Sequence, residues 1–366
     1  MKLTEFLEEN SYKVSTLTEN LGITVKEYDD RYVFNYNQIE SPKTHPVVVE
    51  CRGIILDKQF NILCRPFNRF FNLGEAPETQ KQLDMSKAIA FEKVDGSLIK
   101  IYHHKQWEIA TRGTAFAESN VGDFNLTFRQ LVLKALGMSE EEFQIKANGV
   151  LNKGVSYCFE VTAMENRVVT FYEGHTLHYL GARITSTGEY VSASELNAVK
   201  ALGAKEIAKY QFSTPEQAIT SANSLGGLQE GFVVWQEIDG EFQPVCKIKA
   251  SAYLAVHAIR GEGLTQRRIA ELVLTGEEDE YLTYFSEDRK HFIPYVDAFQ
   301  KLKYSVESEW NKVKEIEDQK EFALAVKHLP FSASLFTAKK TKQPATHCFN
   351  EARLSWRVEI LKGYVQ

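Results

Sequence analysis

Short apolar segments typical of β-strands dominate the first two thirds of the chain, and longer segments with helical spacing dominate the rest. The segment 47–57 is rich in β-branched residues and ends in a polar turn, which predicts a strand. Segments 98–102 and 107–111 predict a hairpin pair. Further strands are predicted at 155–162, 167–172, 177–184, 232–235 and 244–249, the last two around the turn Asp239-Gly240.

Helical signals before residue 250 are fewer. Residues 1–30 predict a short helix and a turn, and apolar residues spaced by three to five positions predict helices within 121–149. Two further helices are predicted from start signals, a capping box at Ser192-x-x-Glu195 and a cap with a first-turn proline at Thr214-Pro215.

After residue 250 the pattern is helical throughout, including a long charged run near 296–328. The sequence therefore predicts an α+β protein with two domains. The first, residues 1–250, contains antiparallel or mixed sheets flanked by helices. The second, residues 251–366, is all-α.

Composition excludes several protein classes. The 366 residues are 43% hydrophobic and 25% charged, as in globular proteins, and no run of about 18 apolar residues predicts a membrane span. The first nine residues include acidic residues, Glu5, Glu8 and Glu9, where a signal peptide needs an apolar run. Five scattered cysteines form no C-x-x-C pair, so we expect a reducing cytosol. The net charge of −6 argues against non-specific coating of nucleic acid and leaves room for a local basic groove.

The strongest chemical signal is the segment Glu92-Lys93-Val94-Asp95-Gly96-Ser97-Leu98. Here a lysine ends a predicted strand, and a tight turn follows in which Gly96 lets backbone or ligand approach closely. Taken alone, K-x-D-G is expected by chance in about one chain in ten of this length, and a solvated lysine in a surface hairpin would be favoured.

Other charged residues accompany this turn in a definite order. Glu160 ends one predicted strand and Glu230 opens another. Lys247 and Lys249 are two apart on a strand, so both point to one face, and Arg52 lies within an earlier strand. Each residue alone could be a solvated edge charge, but together they fit one chemistry.

That chemistry is covalent nucleotidyl transfer. A lysine amine can attack the α-phosphorus of a nucleoside triphosphate if desolvation or nearby cations lower its pKa from about 10.4. Lys247 and Lys249 could supply those cations and neutralise the α-phosphate. Glu160 and Glu230 could hold a divalent metal or the ribose hydroxyls. A Walker A motif is absent from the sequence, so ATP would not sit on a P-loop.

The chain resembles the phage RNA ligase 1 family, the tRNA-repair ligases of T-even phages, within the covalent lysine nucleotidyltransferase superfamily. The resembling segments, in the family's order, are Phe34-Asn35-Tyr36-Asn37, Glu50-Cys51-Arg52-Gly53-Ile54, Arg65-Pro66-x-x-Arg69-Phe70-Phe71-Asn72-Leu73, Lys93 to Leu98, Phe159-Glu160, Asn166-Arg167-Val168-Val169, Thr187-Gly188-Glu189-Tyr190, Glu230-Gly231-Phe232 and Lys247-Ile248-Lys249. They span about residues 30–260, and the C-terminal hundred residues match only loosely.

The resemblance implies ATP-dependent joining of RNA ends through a lysyl-AMP intermediate. It implies Lys93 as nucleophile, Glu92 beside the adenine through its backbone, Gly96 in the nucleotide-binding turn, Glu160 at the ribose, Glu230 in metal binding and catalysis, Lys247 and Lys249 at the α-phosphate, Tyr36 and Arg52 near the triphosphate, and Phe71 against the base. The family usually has lysine at the positions of Arg69 and Arg112, where the resemblance implies contacts with phosphate. Arginine keeps the positive charge of lysine at these positions, but its forked guanidinium differs in geometry from an ammonium group.

The implied cofactors are ATP and Mg²⁺ or Mn²⁺. Glu160 and Glu230 are the candidate metal ligands, and Tyr253 with Asp279 is a candidate second cation site. Core packing of Tyr253 is an equally good interpretation of that residue.

Two alternatives stay open. A DNA ligase or an mRNA-capping guanylyltransferase uses the same lysine chemistry, but these usually carry a β-barrel after the last motif, where this chain is helical. A non-catalytic RNA-binding relative is disfavoured by the retention of all the charged residues together.

The resemblance also implies the partners. The expected substrate is RNA with 5′-phosphate and 3′-hydroxyl ends, in the family a nicked tRNA anticodon loop, and residues 251–366 would select it. We expect a monomer without membrane contact, in the cytosol, or in a host cytosol if a bacteriophage or other virus encodes it.

Overall fold

The structure is a computed structural model that describes residues 1–122, 124–261 and 264–365. The fold is α+β, as predicted, and the chain divides into two compact units, Met1–His257 and Ala258–Gln366. The division after His257 lies close to residue 250, where the sequence predicts a domain boundary.

The first unit contains three sheets. Its strands are β1 (Ile23–Glu27), β2 (Arg31–Tyr36), β3 (Arg52–Asp57), β4 (Ile62–Cys64), β5 (Phe71–Asn72), β6 (Ile89–Glu92), β7 (Ser97–His103), β8 (Trp107–Thr111), β9 (Val155–Thr162), β10 (Thr176–Ile184), β11 (Lys205–Glu206), β12 (Lys209–Tyr210), β13 (Gly231–Ile238) and β14 (Glu241–Lys249). The strand orders are β1-β2-β3-β4, β11-β10-β9-β7-β8 and β12-β6-β13-β14-β5. Most pairs are antiparallel, and β5 with β14 and β10 with β11 are parallel.

Helices cover the sheets. In the first unit they are α1 (Lys2–Glu9), α2 (Ser15–Leu21), α3 (Pro46–Glu50), α4 (Phe128–Leu136), α5 (Glu140–Val150), α6 (Leu196–Leu202) and α7 (Pro215–Asn223). Helix α8 (Ser251–Arg260) follows, and then α9 (Gln266–Thr275), α10 (Glu278–Tyr284), α11 (Arg289–Val313), α12 (Gln319–Val326), α13 (Ser332–Thr341), α14 (Ala345–Asn350) and α15 (Leu354–Lys362). The described residues after 250 contain no strand, as predicted.

Each sheet has its own apolar core. The sheet that contains β7 and β9 packs against α4 and α5 through buried residues such as Ile101, Leu131, Phe143 and Phe159. Burying each such side chain stabilises the fold by roughly 1.5–3 kcal/mol.

Most predicted elements are confirmed. β7 and β8 form the predicted hairpin, and β9, β10, β13 and β14 match the predicted strands. Asp239 and Gly240 both have positive φ, 53° and 82°, as a tight hairpin turn requires. The Thr214 side chain caps α7, and the helical region 121–149 contains α4 and α5, although α4 begins only at Phe128 and residue 123 lies outside the described residues.

Some predicted elements are wrong, each for a physical reason. Residues 47–50 are helical in α3, because Pro46 supplies the helical φ of the first position and Val47 and Val48 are buried in a core shared with α1. The predicted strand 167–172 does not form, since the backbone N–H groups of Val169 and Thr170 donate to Asp95 instead of a neighbouring strand.

The helix predicted from Ser192 begins at Leu196, because the Ser192 hydroxyl accepts a hydrogen bond from the Ala182 N–H instead of capping the helix. Residues 1–30 contain a second helix and β1 beside the single predicted helix.

Candidate active site

Three of the predicted charged residues meet where β6 and β14 end and β13 begins. Lys93 follows β6, and its backbone N–H donates to the carbonyl of Gly231 over 2.8 Å. Gly231 pairs with Lys249 across β13 and β14. Glu230 lies between the two lysines: its Oε2 is 2.6 Å from Lys93 Nζ, and its Oε1 is 2.8 Å from Lys249 Nζ. Antiparallel pairing therefore brings together residues that lie 137 positions apart in the chain.

Glu230 is buried and ionised. Burial opposes its charge, but Lys93 and Lys249 outweigh that effect and hold the pKa of Glu230 below its usual range. In turn, burial would lower the pKa of Lys93, yet Glu230 and Glu160 hold it above its ordinary value. The expectation of a lowered Lys93 pKa is therefore wrong for the protein without ligands, because carboxylates and not cations are its nearest charges.

Glu160 reaches the same place from β9, where it pairs with Leu98 of β7. Burial, and then repulsion from Glu230 and Asp95, raise the pKa of Glu160 to about 7, although Lys93 and Arg52 act in the opposite direction. A carboxyl with this pKa is half-protonated near neutral pH, so it would gain from a cation bound beside it.

The turn after Lys93 is held from several sides. A Cβ at Gly96 would lie 2.3 Å from the Val161 carbonyl oxygen, so only glycine permits this approach of β7 to β9. Asp95 is buried, and its carboxylate accepts hydrogen bonds from the backbone N–H groups of Val169 and Thr170, each over 2.8 Å, and from the Tyr253 hydroxyl. Asp95 is thus a positioning residue of the turn that our sequence reasoning did not single out, although the motif itself contains it.

Lys247 lies on the same face of β14 as Lys249, and its Nζ is 5.4 Å from the centroid of the Phe70 ring. Burial and the charges of Arg52, Lys93 and Lys249 lower the pKa of Lys247 to about 7. The neighbouring positive charges disfavour the protonated form of Lys247. An anion bound beside Lys247 would therefore be stabilised by it and would in turn stabilise its positive charge.

Three arginines and a tyrosine form a neighbouring basic cluster, which consists of Arg52, Arg69, Arg112 and Tyr36. Two guanidinium groups lie over the Tyr36 ring: that of Arg69 is 4.0 Å from the ring centroid, and that of Arg112 is 4.4 Å from it. Burial and the other two arginines lower the pKa of Arg112. Nη1 atoms of Arg52 and Arg69 are buried and find no hydrogen-bond partner within the described part of the chain. Buried donors without partners cost free energy, so this cluster fits an anionic ligand with several oxygens.

A cavity lies over Lys93 and has one apolar wall. Its lining includes Glu92, Lys93, Glu160, Arg52, Lys247, Phe67, Phe70, Phe91, Leu180, Val233 and Trp235. The aromatic ring that lines it from the β5 segment is Phe70. Phe71, the residue predicted against the base, is 2% exposed, is absent from this lining, and lies under Arg69 at 5.3 Å. Because side chains alternate along an extended segment, neighbouring positions face opposite sides, and the sequence does not reveal which one faces the cavity.

The described residues contain no group of three or more histidine, cysteine, aspartate or glutamate side chains arranged to hold a metal. Glu160 and Glu230 offer the oxygen atoms that Mg²⁺ and Mn²⁺ prefer, and the raised pKa of Glu160 favours a cation there. The Tyr253 hydroxyl donates to Asp95 over 2.8 Å, while Asp279 lies in α10 of the second unit. A cation site at Tyr253 or Asp279 stays a prediction.

Comparisons with known proteins give a consistent result. The model of an RNA ligase family matches residues 50–253, more than half of the chain. A protein of Autographa californica nuclear polyhedrosis virus, named for polynucleotide kinase and RNA ligase activities, is 38% identical over 78% of this chain and 42% of its own length. The RNA ligase of Rhodothermus phage RM378 is 24% identical over 81% of this chain and 80% of its own length. The chain therefore spans less than half of the first of these relatives.

Solved structures resemble the chain more distantly. An archaeal ATP-dependent RNA ligase has a TM-score of 0.44 at 13% identity, over 95% of this chain and 81% of that one. A Naegleria gruberi RNA ligase with PPi has a TM-score of 0.43 at 19% identity, over 70% and 72% of the two chains. Scores this low carry no argument about function.

The site thus combines a lysine that follows a strand, its ion pair with a buried glutamate, and two further lysines on the neighbouring strand β14. The chain belongs to the RNA ligase family, and the family resemblance found in the sequence is confirmed.

Proposed function

We propose that this protein is an ATP-dependent RNA ligase that joins RNA 5′-phosphate and 3′-hydroxyl ends through a lysyl-AMP intermediate. The observation that carries the proposal is the position of Lys93, whose amine lies in the cavity, 2.6 Å from Glu230, with Glu160 and Lys247 in the same lining.

Three nucleotidyl transfers make up the proposed reaction. In the first, neutral Lys93 Nζ attacks the α-phosphorus of ATP; an N–P bond forms, the bond to the bridging oxygen breaks, and pyrophosphate leaves with that electron pair. The nitrogen of the new phosphoramidate gives up one proton to solvent. In the second, an RNA 5′-phosphate oxygen displaces the lysine, which regains its proton. In the third, an RNA 3′-hydroxyl attacks the 5′-phosphate, loses its proton and releases AMP.

Different basic groups would bind different phosphates of ATP. Lys247 and Lys249 face the lysine and would neutralise charge on the α-phosphate. The cluster of Arg52, Arg69, Arg112 and Tyr36 would bind the outgoing pyrophosphate, since it presents buried donors that lack partners. The apolar wall with Phe70 would pack against adenine, and the backbone of Glu92 would reach its edge.

A divalent cation fits the two glutamates. Glu160 and Glu230 would hold Mg²⁺ or Mn²⁺, which would supply positive charge that lowers the pKa of Lys93 and neutralises phosphate oxygens. Without it, the same carboxylates keep Lys93 protonated and unreactive. Glu230 also orients Nζ through its 2.6 Å contact.

The natural RNA and the place of action are further parts of the proposal. We propose repair of broken tRNA anticodon loops, with the helical second unit selecting the RNA and the first unit performing the chemistry, by a monomer in the cytosol of the cell or of a virus host. All five cysteines are buried and unpaired, which suits a reducing compartment. No helix among the described residues is long and apolar enough to cross a membrane.

Incubation with α-³²P-labelled ATP and Mg²⁺ tests the proposal. The parent protein should become covalently labelled, and Lys93→Ala should not. Lys87→Ala, which removes an exposed lysine of the same unit, should be labelled like the parent. Addition of 5′-phosphorylated RNA should then release AMP and yield a longer strand. A label from GTP but not ATP would indicate a capping enzyme, sealing of DNA alone would indicate a DNA ligase, and no label at all would indicate a non-catalytic relative.

A further inference from the structure

The loop between β9 and β10, residues 163–175, is bound to the turn that carries Lys93. Asp95 Oδ2 accepts from the backbone N–H groups of both Val169 and Thr170 over 2.8 Å, and the Asp95 N–H donates to the Tyr172 hydroxyl over 3.1 Å. These bonds replace the strand pairing that this segment lacks. The loop is therefore held in place beside the nucleophile although most of it has no regular structure.

Further contacts extend this attachment along both arms of the loop. The Ser97 hydroxyl, one position beyond Gly96, donates to Asn166 Oδ1 over 3.0 Å. On the other side, the Thr170 hydroxyl donates to the Leu228 carbonyl over 2.9 Å, two residues before Glu230. The loop is thus tied to the segments that carry both members of the Lys93–Glu230 pair.

The same loop exposes two large apolar side chains. Val169 and Thr170 point inward and are buried, whereas the next residue, Phe171, is 52% exposed, and Met164 is 59% exposed. The guanidinium of Arg167 lies 5.7 Å from the centroid of the Phe171 ring. Because Asp95 binds the backbone of the two residues before Phe171 and the side-chain hydroxyl of Tyr172 after it, the Phe171 ring is presented to the outside at a defined place.

We propose that the Phe171 ring forms a stacking platform for unpaired bases of the RNA end that is being joined; this rests on the proposed ligase function. Bases of single-stranded RNA stack on exposed aromatic rings with little sequence preference, and an arginine beside the ring adds cation–π and phosphate contacts. The platform adjoins the turn of Lys93, so bases bound there lie next to the 5′-phosphate that receives AMP. The first nucleotidyl transfer involves no RNA and needs no platform.

Sealing kinetics with a short single-stranded, 5′-adenylylated RNA and an acceptor strand test this inference in the full-length protein. Phe171→Ala should raise the KM for RNA about tenfold or more, the size expected for one lost stacking contact, and should weaken RNA binding measured by fluorescence anisotropy. Labelling of Lys93 by ATP should stay within about twofold of the parent. Ile145→Ala, at an apolar residue of α5 that is 67% exposed, is the matched control and should change neither quantity.

Two further variants separate stacking from general apolar contact. Phe171→Trp should keep RNA binding, because it offers a larger ring, and Phe171→Leu should lose it, because it keeps bulk without a π-face. Unchanged RNA binding and KM in both Phe171→Ala and Phe171→Leu would overturn the inference and would point to a protein partner for this surface. Absence of ATP labelling in the parent protein would instead refute the proposed function, so the two failures are distinguishable.

Discussion

The hydroxyl of Tyr253 donates a hydrogen bond of 2.8 Å to Oδ1 of Asp95, and both residues are buried. Tyr253 lies in the first turn of α8, which begins the helical region, whereas Asp95 belongs to the turn after Lys93. The bond therefore attaches the helix that follows the last lysine of the site to the turn that carries the nucleophile. Burial and the nearby carboxylates of Glu230 and Asp95 raise the pKa of Tyr253, so the donor stays protonated.

Tyr253→Phe should destabilise the protein by about 1–3 kcal/mol, because it leaves a buried carboxylate with one donor fewer. The measurement is the urea midpoint of the unfolding transition. Tyr304→Phe, at an exposed tyrosine, should leave that midpoint unchanged. If Tyr253→Phe unfolds at the parent's urea concentration, the hydrogen bond contributes nothing to stability.

Removing either lysine of β14 should slow the formation of lysyl-AMP. Loss of a cation at the α-phosphate costs roughly 3–4 kcal/mol of transition-state stabilisation, about a hundredfold or more in rate. We expect Lys249→Ala to be the more severe change, since Lys249 also holds Glu230 at 2.8 Å. Single-turnover labelling with ATP measures both variants. A rate within about threefold of the parent would mean that the lysine in question does not neutralise charge on the α-phosphate.

The Lys93–Glu230 pair predicts a pH dependence. The pKa of Lys93 is raised, so the neutral amine is a minor species at neutral pH. As long as the pH lies below that pKa, the neutral fraction increases about tenfold for each unit by which the pH rises. Labelling at limiting Mg²⁺ should therefore accelerate steadily between about pH 6 and pH 9. A rate that is flat over this range would mean that deprotonation of Lys93 does not limit the step.

The raised pKa of Glu160 predicts that the protein becomes less stable as the pH rises. Its pKa is raised to about 7 in the folded protein from the usual value near 4.5, so the folded state binds this proton more tightly than the unfolded state does. The stabilisation is fully present below pH 4.5 and is lost as pH rises through about 7. Glu160→Gln should therefore gain stability relative to the parent between pH 5 and pH 8, by at most about 3 kcal/mol. Urea midpoints at these two pH values check the sign, and equal shifts at both would contradict it.

The proposed division of labour predicts that a fragment ending at Arg260 keeps some Lys93 labelling. The fragment retains the first compact unit, all of α8 and the Tyr253–Asp95 bond. It should lose the preference for structured tRNA over simple single-stranded RNA. Its thermal transition must first show that it folds, because removing the second unit could expose apolar surface. A folded fragment that ATP does not label would assign the second unit to the catalytic machinery.

Sequence reasoning identified the charged residues of the site because their chemistry restricts their type and order. Lys93, Glu160, Glu230, Lys247 and Lys249 were all named from strand ends and from the two-residue period of a strand, and the structure brings Lys93, Glu230 and Lys249 into direct contact. The α+β class and the helical region after 250 followed from hydrophobic periodicity in the same way. These features depend on short-range patterns, which a sequence records directly.

Only the tertiary structure decided how those residues act on one another. It placed Phe70 and not Phe71 in the cavity lining, made residues 47–50 helical through burial against α1, and turned 167–172 into a loop bound to Asp95. It also raised the pKa of Lys93, which the sequence predicted to fall, because the nearest charges are carboxylates from distant strands. The sequence by itself determined the residue types, their order and the local periodicity. Side-chain direction, hydrogen-bond partner and pKa depend on groups that lie far apart along the chain, and only the folded arrangement brings them together.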